Sequence, residues 1–87
     1  MKIKIIKLQN LELYVRSISS ELKLTSFPNQ AKQFNFSGDL KKLDLIANIC
    51  PSLYFCIKYL ETNKYKFKVM DLEDEETNDL RLLRNKS

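Results

Sequence analysis

With 87 residues, 44% of them apolar and 30% charged, the chain has the material for one small globular domain and excludes a disordered polypeptide. It has no histidine, one glycine and two cysteines, which excludes imidazole acid–base chemistry, Cys–His zinc sites and glycine-rich phosphate loops. The net charge of +4 is unevenly spread: residues 1–68 carry 12 Lys and Arg against 5 Asp and Glu, and residues 71–79 carry 6 acids and no base.

KIKIIKL (2–8) mixes β-branched residues with alternation and reads as a strand. Asn10 then offers a helix N-cap, and Leu11, Tyr14, Val15, Ile18 and Leu22 follow the spacing of one helical face. A strand over LELYV is the shorter alternative, and the longer helical pattern is preferred. ELKLTSF begins a second strand, Phe27-Pro28-Asn29-Gln30 a turn, and AKQFNFSG a short third strand.

Ser37-Gly38-Asp39 starts a second helix with Leu40, Leu43, Ile46, Ala47 and Cys50 on one face, stopped by Pro51. From Ser52, Leu53, Phe55, Ile57 and Tyr59 alternate with Tyr54, Cys56 and Lys58. A helical reading through Leu53, Cys56, Ile57 and Leu60 competes. A strand is preferred because NKYKFKVM (63–70) follows as a partner, with Glu61-Thr62-Asn63 as the loop and Asn63 left-handed.

This register sets Tyr59 opposite Tyr65 and Ile57 opposite Phe67, and gathers Lys58, Lys64, Lys66 and Lys68 on the other face. The expected fold is α+β: one domain over 1–70 in the order β-α-β-β-α-β-β, two helices packed on one sheet, and a mobile acidic then basic tail over 71–87.

No catalytic constellation stands out. Glu12, Asp39, Asp44 and Glu61 are scattered, and the acids of 71–79 lack the glycine and ligand spacing of a calcium loop. Cys50 and Cys56 lie in apolar runs and read as core thiols. The expectation is a protein that is not an enzyme, with no cofactor, no metal and no small-molecule substrate. The longest uncharged run, Leu45 to Ile57, has 13 residues and contains Pro51, short of the roughly 20 a bilayer span needs. MKIKIIKL is broken by lysines and lacks a signal-peptide core, so a cytoplasmic protein without membrane partners is expected.

Lysines neutralise phosphates and exposed aromatics stack on unpaired bases. Lys58, Lys64, Lys66 and Lys68 with Tyr54 offer both, and Lys2, Lys4, Lys7, Lys41 and Lys42 extend the set. A lysine row also serves as a solvated face or guards an edge strand. DLIANICPSLYFCIKYLETNKY has the outline of a helix-turn-helix, but leaves little room for the turn and gives the second helix no polar reading face.

Three stretches resemble the eukaryotic large-subunit ribosomal protein twenty-two family. NLELYVRSI (10–18) looks like its first helix, FNFSGDLKKL (34–43) like its strand-to-second-helix junction, and YFCIKYLETNKYKFKVMDLEDEE (54–76) like its final hairpin and acidic tail. The chain departs from the family in its compressed SFPNQ connection, in a second helix keeping only Lys41 and Lys42, and in its LRLLRNKS end. The resemblance implies a structural constituent of the large subunit, bound to ribosomal RNA and neighbouring subunit proteins. Lys41 and Lys42 match the family's basic helix; the hairpin lysines come from the strand reading alone. The competing class is a small basic interaction protein, such as a phage-type inhibitor of a nucleic-acid enzyme.

Overall fold

A computed structural model describes residues 3–73. Over these residues the fold is α+β, a five-stranded antiparallel sheet with two helices. The strands are β1 (Ile3–Leu8), β2 (Leu13–Ile18), β3 (Leu22–Thr25), β4 (Phe34–Asn35) and β5 (Phe67–Asp71); α1 (Leu43–Ile49) and α2 (Pro51–Thr62) lie between β4 and β5. The order is therefore β-β-β-β-α-α-β, not β-α-β-β-α-β-β.

β1 is the centre. Lys7 pairs with both Tyr14 and Lys68, and Lys4 with both Phe34 and Asp71, so β5 holds one side of β1 while β2 and β4 share the other. Ile5 and Ile6, adjacent in sequence, are both fully buried, as befits a strand covered on both faces. Ile6, Leu8, Val15 and Phe34 pack with Ile46, Leu53, Cys56, Ile57 and Leu60 of the helices. On the opposite face Ile5, Tyr14, Ala31 and Leu72 form a smaller cluster. At its margin Thr25 Oγ1 donates to Gln30 Oε1 and accepts from the Phe27 amide, tying β3 to the 3₁₀ turn Pro28–Gln30.

Two expected elements change type. The helix over 10–22 is instead the turn Gln9 to Glu12 followed by β2. Asn10 is a turn residue and not a cap. The apparent helical spacing has a physical origin. Val15 and Ser17 pair with Leu24 and Lys23, leaving Arg16 as the extra residue of a bulge. The bulge returns Ile18 to the face of Val15 after three positions, as a helix would. Tyr14 and Val15, buried on opposite faces, complete the imitation.

The strand expected over 52–60 is α2, and the competing helical reading is the correct one: its buried residues are Leu53, Cys56, Ile57 and Leu60. Phe55, which sustained the alternation, is 55% exposed. Pro51 does not simply stop a helix; it opens the next, at a first-turn position where a missing N–H costs nothing. Cys50 between them has φ −136° and ψ 75°, outside the α region that the residue before proline avoids. Its amide donates to Ile46 and its carbonyl accepts from Leu53 and Tyr54, so one residue closes α1 and starts α2. The two consecutive helices make the outline of 44–65 real, but α2 turns its apolar side to the sheet.

The hairpin 59–65 does not form, because β5 pairs with β1. After α2, Asn63 has φ −92° and donates from Nδ2 to the Tyr59 carbonyl, while Lys64 takes the left-handed conformation at φ 61°. β5 runs through Asp71, and Leu72 is buried beyond it, past the domain limit expected at residue 70. The rest of the expected tail, 74–87, lies outside the described residues.

Candidate nucleic-acid interface

The expected row of four lysines is split by the sheet. Phe67 and Val69 pack against the helix layer, so Lys68 between them points to the other side. Lys58 sits on the exposed side of α2, with Nζ 6.0 Å from the Tyr54 ring centre. Lys58 and Lys68 therefore occupy opposite sides of the molecule. Lys64 and Lys66 belong to neither face but to the connection between α2 and β5.

That connection builds a concave site. Tyr65 donates its amide to Leu60, and the Gln9 amide donates to Lys66 at 3.0 Å, drawing 64–66 against the β1–β2 turn. The groove between them holds about 260 Å³ and is lined by Leu8, Asn10, Leu11, Lys64, Tyr65 and Lys66. Tyr65 is 40% exposed and Leu11 55%. A ring flanked by two lysines, beside an amide side chain, offers a stacking surface, two cations and a hydrogen-bonding group.

The basic surface continues from Lys66 onto the face away from the helices. Lys7 of β1 lies directly opposite Lys68 of β5, a like-charge pair that disfavours the sheet unless an anion screens it. Lys7 is partly served: Glu12 Oε2 is 3.8 Å away and the Tyr14 ring centre 5.7 Å. Among the described residues, Lys66 and Lys68 face no carboxylate within ion-pair distance. Lys4, by contrast, is engaged by Asp71 at the partly buried margin of the sheet.

Lys41 and Lys42 stand elsewhere, on the approach to α1. The Lys41 amide donates to Asp39 Oδ1 and the Lys42 amide to the Asp39 carbonyl, a turn that leaves both side chains exposed. They line a wider hollow of about 530 Å³ with Leu43, Asp44, Leu45 and Asn48, where Asp44 offsets part of their charge. The structure thus joins Lys64 and Lys66, adds Lys68 and Lys7 next to them, and leaves Lys58 and the Lys41–Lys42 pair apart.

Tyr65, Asn10 and Leu11 were missed as site residues. Alternation assigned Tyr65 to the core, but β5 begins only at Phe67, which frees the ring. Among the described residues, no three His, Cys, Asp or Glu side chains come together, and no helix is long and apolar enough to cross a membrane. No protein-family model, curated protein or solved structure matches the chain.

Proposed function

We propose that the protein is a non-catalytic RNA-binding module that grips phosphates with Lys64, Lys66, Lys68 and Lys7 and stacks an unpaired base on Tyr65. The observation that carries this reading is the groove that sets Tyr65 between Lys64 and Lys66, against Asn10 and Leu11. Phosphate contacts position a protein without reading sequence, and a single aromatic platform accepts any base. Among the described residues β5 pairs with β1 alone, so Lys68 also guards an edge against edge-to-edge pairing. That role explains a lysine on the strand but not the exposed ring beside it.

The proposed setting is the large ribosomal subunit in the cytoplasm, where the protein would bind ribosomal RNA and neighbouring subunit proteins as a structural constituent. Support comes from the basic surface and from FNFSGDLKKL, where β4 leads to α1 with Lys41 and Lys42 exposed between them. The stretches 10–18 and 54–60, likened to a helix and a strand, fold as a strand and a helix, so they lend no support.

Fluorescence anisotropy with a 12-nucleotide single-stranded RNA tests the binding. Three or four phosphate contacts give a log–log salt slope of about −2 to −3. Lys66→Glu lowers affinity and flattens that slope. Tyr65→Ala weakens binding by about 1–3 kcal/mol with the slope unchanged. Absence of binding at low salt, or affinity indifferent to both substitutions, overturns the reading. Sedimentation of a native lysate tests the setting: co-migration with large subunits at moderate salt is expected, and absence from those fractions refutes it.

A further inference from the structure

Among the described residues, β5 has a strand on one side only. The Gln9 amide donates to the Lys66 carbonyl, in the register that continues through Leu8 with Phe67 and Lys7 with Lys68. Bonded and non-bonded pairs alternate along an antiparallel ladder, so Lys66, Lys68 and Met70 turn their backbone groups toward β1. The N–H and C=O groups of Phe67 and Val69 therefore point outward, where no described strand lies. Side-chain burial agrees. Leu8 and Ile6, opposite Phe67 and Val69, are buried, whereas Phe67 and Val69 are only half-buried on the same face. Lys68 stands exposed on the other face, with exposed Lys66 just ahead of the strand.

We propose that this edge accepts an extended acidic segment of a partner protein as an added antiparallel strand, its carboxylates facing Lys68 and Lys66 and its apolar side chains beside Phe67 and Val69. Backbone bonds supply attachment, and the alternation of charged and apolar side chains supplies selectivity. The lysine that opposes pairing with basic edges welcomes an acidic one. A second copy fits poorly. Two β5 strands paired about Lys68 would set the lysines against each other, and paired about Val69 would set Phe67 against Asp71. A nucleic acid would meet the lysines but leave the Phe67 and Val69 backbone groups to water. The inference goes beyond the RNA-binding reading and does not rest on it; an added strand and a phosphate chain would compete for Lys66 and Lys68.

The probe is an acetylated peptide of alternating glutamate and valine, about seven residues, the length of an ordinary strand. It is titrated into the full chain and followed by NMR and amide exchange. In the added strand the valine N–H groups face Phe67 and Val69, and the glutamate N–H groups face solvent. Methylating the valine nitrogens should weaken binding about tenfold or more, whereas methylating the glutamate nitrogens should change it less than about twofold. Lys68→Gln should weaken binding about two- to fivefold. The Phe67 and Val69 amides should exchange faster than those of Lys68 and Met70 in the free protein, and slow when the peptide binds. Phe67 and Val69 amides already as protected as their neighbours in the free protein overturn the inference, as does a peptide that does not bind, whatever RNA does. Equal binding of the two methylated peptides also overturns it, and leaves a lysine surface that attracts any polyanion.

Discussion

Gly38 shows how closely the β4–α1 connection is packed. A Cβ there would lie 2.8 Å from Phe36 Cζ and 3.1 Å from Leu45 Cδ2, and the Phe36 ring is itself buried in the core. Gly38→Ala is therefore expected to destabilise the fold by about 1–3 kcal/mol, measured by urea denaturation. Combined with Phe36→Leu the two costs should not add, because the smaller side chain vacates the contested space. Cys56 is a second residue whose surroundings set its chemistry. Burial pushes its thiol above the ordinary range, against the opposing charge of Lys32 and with a smaller upward contribution from Cys50. The native thiol stays neutral while the unfolded one ionises above about pH 8.5, so the unfolded state binds fewer protons there. Stability should fall as pH rises from about 8.5 toward the raised native value, and Cys56→Ala should flatten that decline in denaturation curves.

At the scale of elements, α2 decides the architecture. Leu53 and Leu60 are fully buried against the sheet, whereas Phe55 is largely in solvent. Leu60→Ala should cost about 2–5 kcal/mol and Phe55→Ala less than about 1 kcal/mol, measured by thermal or urea unfolding. Comparable costs at the two positions would count against the helix, since a strand would bury Phe55 beside Ile57. β1 is the other deciding element, with β5 on one side and both β2 and β4 on the other. β2 parts from β1 beyond Tyr14, near its bulge, and β4 takes up the freed edge at Ile3 and Lys4. The Lys32 amide donates to the Val15 carbonyl at 2.9 Å, joining the incoming segment to the strand it replaces.

For the whole molecule, charge and stability pull in opposite directions on one face. Lys7 and Lys68 oppose each other across β1 and β5, which costs the sheet a few tenths of a kcal/mol or more and concentrates positive potential. Lys68→Glu should raise stability by about 0.2–1 kcal/mol, by giving Lys7 a cross-strand partner, and should lower RNA affinity. Urea denaturation and anisotropy on the same protein check both halves. A variant that gains no stability, or binds as well as wild type, would remove the reason for assigning a ligand to this face.

Much of the fold was legible in local pattern. KIKIIKL alternates and is central, and LKLT and FN are strands where expected. Leu43 and Ile46 lie in α1 as expected of the second helix, but the expected start at Ser37-Gly38-Asp39 is irregular chain leading into a turn. The helix begins only at Leu43, and Cys50 follows its last residue. The basic body and acidic run are plain in the charges, and with them the expectation of a polyanionic partner. What failed did so where local periodicity was ambiguous: a bulged strand buried on both faces imitates a helix, and a helix with an aromatic on its wet side imitates a strand. Only tertiary pairing resolved these, because β5 joined β1, far away in sequence (Leu8 with Phe67, Lys4 with Asp71), instead of its neighbour. That pairing sent Lys58 and Lys68 to opposite sides and exposed Tyr65 between Lys64 and Lys66. Composition determined that the protein carries a cationic surface; the long-range register of β1 with β5 decided where it lies, since strand pairing depends on partners distant in the chain.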